Sequence, residues 1–134
     1  MSSVYNTDSV ATKCIDGITT TDNMCHTGVR HPAPWIALEF PVQVAVARVD
    51  IYNRVTQAHR LRNVEVRLTE ELPTSSDWMY TGGELLGTYK GPATIDETII
   101  RVEGAAKIGK YVLIQMNYQG YLNLYEVEAF GRSL

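Results

Sequence analysis

The chain has 134 residues, a length that fits a single domain over residues 1–134 with a hydrophobic core of its own. Its 45% hydrophobic and 20% charged content excludes a disordered chain, and its net charge of −3 argues against a nucleic-acid-binding face. No apolar run reaches the roughly 20 residues of a membrane-spanning helix, and the first residues lack the basic start and apolar stretch of a signal peptide.

Alternating hydrophobic residues predict β-strands from residue 35 onward. The segment 35–40 alternates, and 42–52 is rich in β-branched residues but changes phase along its length. That change predicts either burial on both faces or a β-bulge near Arg48. The segment 63–68 predicts one buried and one solvent-facing side, with valine and leucine inward. The remaining predicted strands are 98–102, 111–116 and 122–130.

Clusters of turn-forming residues separate these strands. They are 73–77, 82–83, 91–92, Gly104 and Gly109. No segment keeps the apolar spacing of an amphipathic helix for three turns. Seven or eight short strands at this spacing predict an all-β fold, a single antiparallel β-sandwich or jelly roll. In such a fold, binding groups usually lie on loops gathered at one end of the scaffold.

Three polar segments, 18–30, 53–62 and 117–123, contain most of the candidate binding residues. The cationic side chains in and beside them are His26, Arg30, His31, Arg54, His59, Arg60 and Arg62. Such a cluster on an acidic protein indicates a polar ligand. Tyr118 and Tyr121 are predicted to form an exposed apolar wall, because both lie in a loop beside the last strand.

Catalytic motifs are missing around the residues that carry enzyme chemistry. The three histidines and two cysteines have neither the local context of a nucleophile elbow nor the spacing of zinc ligands. The acidic residues are scattered, which favours solvated turns and strand edges over a glycosidase pair. The sequence therefore predicts a protein that is not an enzyme.

Several short motifs follow one another in a familiar order. They are Cys14-Ile-Asp-Gly17, Cys25-His-Thr27, Pro34-Trp35, Asn53-Arg54, Arg60-Leu61, Gly109-Lys-Tyr-Val112 and Leu124-Tyr-Glu-Val-Glu-Ala-Phe-Gly131. Together they resemble the coagulation factor V/VIII type C, or discoidin, family, and within it the fucolectin (F-type lectin) branch. This resemblance covers residues 10 to 131 and implies a galactose-binding-domain-like jelly roll.

The resemblance also implies a sugar site. Fucolectins hold the sugar with one histidine and two arginines, which correspond to His26, Arg54 and Arg60. The family aspartate two residues after the first arginine is Thr56 here, and the adjacent cysteine pair of that loop is missing. His59 lies in this altered loop and is a candidate for the lost polar group. The implied ligand is a fucose- or galactose-type sugar.

Fucolectins carry a structural calcium ion, and the resemblance implies one here. Glu126 stands where the family has its acidic ligand, and the loop that begins at Ile18 offers further oxygens from Asp22 and Asn23. Calcium takes about six to eight oxygen ligands, which this loop reaches only with help from its backbone. The alternative is a turn held by Asx-type hydrogen bonds without an ion.

The resemblance places Cys25 at a family cysteine whose partner position in the last strand is Tyr125 here. Cys14 is then the expected partner of Cys25, and two buried free thiols are the alternative. A disulfide implies an extracellular or cell-surface protein, with its signal peptide absent from this sequence.

The function implied by the resemblance is a non-catalytic, lectin-like module in glycan recognition or cell adhesion, with oligomerisation as a route to avidity. One alternative is protein–protein or membrane-lipid adhesion without a sugar site. Lipid binding is disfavoured because Met24, Val29 and Val55 form no pronounced apolar spike. The other alternative is a targeting domain of a larger glycan-processing enzyme.

Overall fold

The computed structural model describes residues 1–19 and 23–134. In the described ranges it contains six strands and two 3₁₀ helices. The strands are β1 (Cys25–His26), β2 (Trp35–Asn53), β3 (Val64–Thr69), β4 (Glu84–Tyr89), β5 (Ile99–Met116) and β6 (Asn123–Ser133). The 3₁₀ helices are Ala11–Cys14 and Ala58–Arg60. None of the described helices is long and apolar enough to cross a membrane.

Every pairing in the sheet is antiparallel, in the order β1-β6-β2-β5-β3-β4. The all-β, antiparallel sandwich expected from the sequence is confirmed. In β3, Val64, Val66 and Leu68 are buried while Glu65 and Arg67 are half-buried, as the alternation predicts.

Two pairs of predicted strands are each one long strand. The segments 35–40 and 42–52 join in β2, and 98–102 and 111–116 join in β5. The register of β2 shifts between Val46 and Arg48 against both neighbouring strands, so the irregularity predicted near Arg48 is confirmed.

The turns predicted at Gly104 and Gly109 are wrong, because both glycines lie inside β5. A Cβ on Gly109 would approach the backbone nitrogen of Thr69 to 2.7 Å, and one on Gly104 would approach the carbonyl oxygen of Leu86 to 2.9 Å. These glycines therefore permit close contact with neighbouring strands, and the chain does not turn there.

The core is built from the inward residues of β2, β3, β5 and β6. Fully buried side chains at its centre include Val49, Ile51, Val66, Ile114 and Leu124. Burial of this kind stabilises by about 25 cal/mol for each Å² of apolar surface removed from water. The core therefore holds the ends of β2 and β6 in fixed positions, and the loops at these ends carry the polar clusters.

A disulfide joins Cys14 to Cys25, with 5.3 Å between the Cα atoms. Both residues are fully buried, so the predicted pairing is confirmed and the free-thiol alternative is wrong. The bridge links the first 3₁₀ helix to β1, the short strand that contains His26.

Candidate functional site

The pairing of β1 with β6 brings together residues that are far apart in sequence. His26 lies opposite Asn123, and Asn53 at the end of β2 lies opposite Leu124. Arg54, which directly follows β2, is thereby placed beside the start of β6. Three separate chain segments thus meet at one end of the sheet.

A cavity of about 630 Å³ opens where these segments meet. Its lining residues are Tyr5, Ser9, Met24, His26, Arg54, Thr56, Gln57, Arg60 and Tyr121. We call it the His26 cavity. The histidine and both arginines singled out from the sequence therefore line a single cavity.

His26 is 7% exposed and lies between two tyrosine rings, with centroid distances of 4.7 Å to Tyr5 and 5.6 Å to Tyr121. Its Nδ1–H donates to the carbonyl oxygen of Thr27 at 2.6 Å, which assigns the proton to Nδ1. Burial, followed by the charges of Arg54 and Arg60, lowers the pKa of His26. The ring is thus neutral at pH 7, and its Nε2 is a hydrogen-bond acceptor.

Arg54 is held by two polar side chains. Its Nε and Nη2 donate to the hydroxyl oxygen of Thr56 at 3.2 and 2.9 Å. Its Nη1 donates to the amide oxygen of Asn123 at 3.3 Å. Thr56, which stands where the related family has an aspartate, therefore orients the guanidinium without adding a negative charge.

The loop between Arg54 and Arg60 is braced from within the fold. The buried Asn53 side chain donates from Nδ2 to the carbonyl oxygen of Ala58 at 3.1 Å. The backbone N–H of Val55 donates to the Tyr125 hydroxyl at 3.4 Å. Arg60 ends the second 3₁₀ helix, with its guanidinium carbon 5.4 Å from the centre of the Tyr121 ring. A braced loop loses little conformational entropy when a ligand binds.

His59 and Tyr118 do not line the His26 cavity. They belong to an adjoining cavity of about 360 Å³, which we call the Arg62 cavity. Its lining residues are Arg30, Gln57, His59, Arg60, Arg62, Tyr118, Gln119, Gly120 and Tyr121. His31 lines neither of the two cavities and instead lies 3.9 Å from Asp77.

Tyr5 and Ser9 are lining residues that sequence reasoning missed. The N-terminal segment folds over β1, where the Tyr5 N–H donates to the His26 carbonyl oxygen at 2.9 Å. The His26 N–H in turn donates to the Ser9 carbonyl oxygen at 3.1 Å. No motif or periodicity marks residues 1–9, so only long-range pairing places them at the cavity.

An acidic turn lies farther along β6. Glu126 is 5% exposed, and its Oε2 accepts the Gly17 N–H at 2.8 Å. Its Oε1 has no hydrogen-bond partner in the part of the chain that the structure describes. Asp16, which the sequence reasoning did not select, accepts hydrogen bonds from the Ile18 backbone and the Asn23 side chain.

The acidic turn offers groups that fit a calcium ion. Burial, with a contribution from the charge of Asp16, raises the pKa of Glu126. A hard cation would neutralise the charge of Glu126 and coordinate the oxygen that lacks a partner among the described residues. Of the predicted ligands, Asp22 lies outside the described residues, and Ile18 and Asn23 contact Asp16. Within 1–19 and 23–134, no three His, Cys, Asp or Glu side chains form a ready-made metal cluster.

No protein-family model matches this sequence, and no curated protein matches it significantly. Solved structures do match. A serum fucolectin from striped bass, Morone saxatilis, aligns over 98% of this chain with a TM-score of 0.81 and 22% identity. The present chain covers 44% of the length of that fucolectin chain.

Two further structures are similar over nearly the whole chain. The lectin domain of lectinolysin, solved with Lewis B antigen, has a TM-score of 0.74 and 25% identity, covering 99% of this chain and 90% of its own. A chitosan-binding module of a Paenibacillus sp. IK-5 chitosanase/glucanase has a TM-score of 0.73 and 19% identity, covering 97% and 91%. The chain therefore has the discoidin-like fold in the form found in F-type lectins, as the sequence motifs imply.

Proposed function

We propose that this chain is a non-catalytic carbohydrate-binding module that holds one sugar of the fucose or galactose type in the His26 cavity. One observation carries the proposal: His26 in β1 lines the same cavity as Arg54 and Arg60, which lie in the loop after β2. The neighbouring structures support it, since they include a fucolectin and a lectin domain complexed with Lewis B antigen.

The chemistry of the cavity suits a neutral, hydroxyl-rich ligand. Each guanidinium is a planar multiple donor, able to bond adjacent sugar hydroxyls or a hydroxyl and the ring oxygen. The neutral His26 ring would accept a hydrogen bond from a further hydroxyl. Tyr121 offers an aromatic face to the C–H groups of a sugar ring. Tyr118 and His59 in the Arg62 cavity would contact a second sugar unit.

The lining of the His26 cavity also favours binding over catalysis. Among its described lining residues there is no carboxylate, whereas most glycoside hydrolases use a pair of them. The module would instead act in glycan recognition or cell adhesion at the cell surface or outside the cell. There the disulfide is stable, and self-association would add avidity.

Calcium forms a second part of the proposal. Glu126 and Asp16 would hold a structural ion together with oxygens of the neighbouring turn, including Asp22, Ile18 and Asn23. The support is the buried Oε1 of Glu126, which has no hydrogen-bond partner among the described residues and lies near a second carboxylate. The ion would neutralise this charge and stiffen the turn that precedes β1.

A glycan array tests the sugar proposal, using the protein with calcium, with a chelator, and as Arg54→Ala and Arg132→Ala variants. We expect selective binding to fucosylated or galactosylated glycans, lost in Arg54→Ala. Arg132→Ala should bind as the unaltered protein does, because Arg132 is exposed near the far end of β6. Uniform low signals in calcium would contradict the proposal and favour adhesion to a protein or a lipid surface. Vesicle co-sedimentation then identifies lipid.

A further inference from the structure

We infer that the Arg62 cavity binds an oxyanion, the sulfate or carboxylate substituent of a sugar unit attached to the one in the His26 cavity. This inference rests on the proposed function and specifies its ligand as an acidic glycan. The two cavities share Gln57, Arg60 and Tyr121 in their linings, so a single oligosaccharide can occupy both.

The Arg62 cavity concentrates positive charge on an acidic chain. Arg30, Arg60 and Arg62 all line it, with His59 beside them, although the chain carries a net charge of −3. None of its described lining residues is acidic. Guanidinium groups gathered without a counter-charge repel one another, and a bound anion would relieve that repulsion.

Three other arginines of the chain form ion pairs with carboxylates. Arg67 lies 2.9 Å from Glu65, and both Arg48 and Arg101 lie within 3.4 Å of Asp50. The ion pairs found among residues 1–19 and 23–134 do not involve Arg30, Arg60 or Arg62. Among the described residues, Arg48, Arg67 and Arg101 on the sheet therefore have carboxylate partners, and the three arginines at the cavity have none.

Arg62 is held in place and its hydrogen bonding is incomplete. Its guanidinium carbon lies 4.3 Å from the centre of the exposed Tyr118 ring, which fixes the plane of the group. Its buried Nε has no hydrogen-bond partner among the described residues. An oriented guanidinium matches the two oxygens that a sulfate or carboxylate presents, and a lysine would lack this geometry.

The cavity is also preformed, because backbone hydrogen bonds join the three segments that line it. The Asn117 N–H donates to the Asn63 carbonyl oxygen at 2.8 Å, and the Gly120 N–H to that of His31 at 3.3 Å. The Gln119 side chain donates to the Arg30 carbonyl oxygen at 3.3 Å. An anion would therefore meet cations already in position, at a small entropic cost.

Calorimetry with three matched fucosylated trisaccharides tests the inference. One is neutral, one carries a sulfate on the galactose next to fucose, and one has galacturonic acid in place of that galactose, which supplies a carboxylate. We expect at least one charged form to bind about tenfold more tightly than the neutral form. The advantage should shrink near 1 M salt, where the Debye length falls to about 3 Å. Comparison of the two charged forms identifies the preferred anion.

Substitution of arginines distinguishes anion binding in the Arg62 cavity from sugar binding in the His26 cavity. Arg30→Gln and Arg62→Gln should each lower the ratio of charged-form to neutral-form affinity to near one, and Arg30→Gln should leave the affinity for the neutral form unchanged. Arg132→Gln, an equal change of charge on an exposed residue far from the cavity, should leave both affinities unchanged. The exposed Arg30 provides a variant without risk to folding.

Each outcome has a definite meaning. Equal affinities for neutral and charged trisaccharides would overturn this inference and leave the proposed function intact. An advantage that survives both substitutions would also overturn it. Binding of none of the three would overturn the proposed function, and this inference with it. Binding of a sulfated glycan that withstands Arg54→Ala would support the anion site and contradict the sugar site.

Discussion

The His26 cavity and the acidic turn lie a few residues apart along β6 and satisfy their polar groups in opposite ways. In the cavity, His26 and Arg54 are held by Thr27, Thr56 and Asn123. In the turn, Glu126 keeps a buried oxygen without a partner among the described residues. A buried polar atom without a partner costs about 1–3 kcal/mol, more when charged. The polar groups of the cavity are therefore paired before a ligand arrives, whereas the acidic turn has an uncompensated oxygen that the proposed calcium ion would neutralise.

The disulfide links these regions, so its removal should have the largest effect. Replacing Cys14 and Cys25 together by alanine should lower the free energy of unfolding by about 2–3 kcal/mol, because the unfolded chain gains entropy. Sugar affinity should fall too, since β1 holds His26. Thermal unfolding with and without reductant checks this. A melting temperature unchanged by reduction or substitution would show that the bridge does not brace either region.

Calcium should stabilise the acidic turn and leave the sugar affinity of the His26 cavity unchanged. An ion at a concentration of about 100 times its Kd adds about 2.7 kcal/mol to the free energy of unfolding. Glu126→Gln should abolish that gain and keep sugar affinity, whereas the exposed Glu71→Gln should keep both. Calorimetric unfolding with calcium and with chelator measures the difference. Equal melting temperatures in the two conditions would mean that the turn holds no calcium.

Without calcium, the raised pKa of Glu126 predicts how stability depends on pH. Since the folded state holds this proton more tightly than the unfolded state, its stabilising effect is present below about pH 4.3 and is lost as pH rises through the raised pKa. Glu126→Gln should therefore unfold at a higher temperature than the unaltered protein at pH 7 in chelator. Equal or lower stability of the variant would show that its carboxylate is compensated.

A substitution at Thr56 tests whether sugar binding in the His26 cavity depends on the hydroxyl that orients Arg54. Thr56→Val keeps the shape of the side chain and removes the hydroxyl that accepts from Arg54. We expect sugar affinity to fall about fivefold to tenfold, the equivalent of one hydrogen bond of about 1–1.4 kcal/mol. Thr88→Val, on the exposed part of β4, is the matched control. Calorimetric titration with fucose or galactose measures the affinity of each protein. Equal affinities of Thr56→Val and the unaltered protein would mean that Arg54 needs no orienting hydroxyl.

The titration of His26 should have the smallest effect at neutral pH, because its lowered pKa keeps the ring uncharged there. Its lowered pKa means that the unfolded state takes up the proton first as pH falls through about 6.5. Stability should thus fall below that pH, by at most about 1.4 kcal/mol per pH unit, and sugar affinity should fall at lower pH still. His26→Gln should flatten both curves between about pH 5 and 7. If stability and sugar affinity depend on pH as steeply in His26→Gln as in the unaltered protein, another group is responsible for the titration.

Local patterns predicted those features that depend on neighbours in sequence. The alternation in 63–68 assigned the buried face of β3 correctly, and the phase change near Arg48 marked a real register shift. The turns predicted at Gly104 and Gly109 were wrong because these glycines serve long-range contacts. Their small size serves contacts with β3 and β4, and no local pattern distinguishes such a glycine from one in a turn.

The motifs along the chain singled out His26, Arg54 and Arg60, together with the Cys14–Cys25 pair, through the family resemblance that they carry. Only the tertiary structure grouped them. It separated His59 and Tyr118 into the Arg62 cavity, added Tyr5 to the His26 cavity and placed Asp16 near Glu126. The physical reason is that side-chain chemistry is a local property of the chain. Which side chains share a cavity depends instead on long-range strand pairing, here that of β1 and β2 with β6.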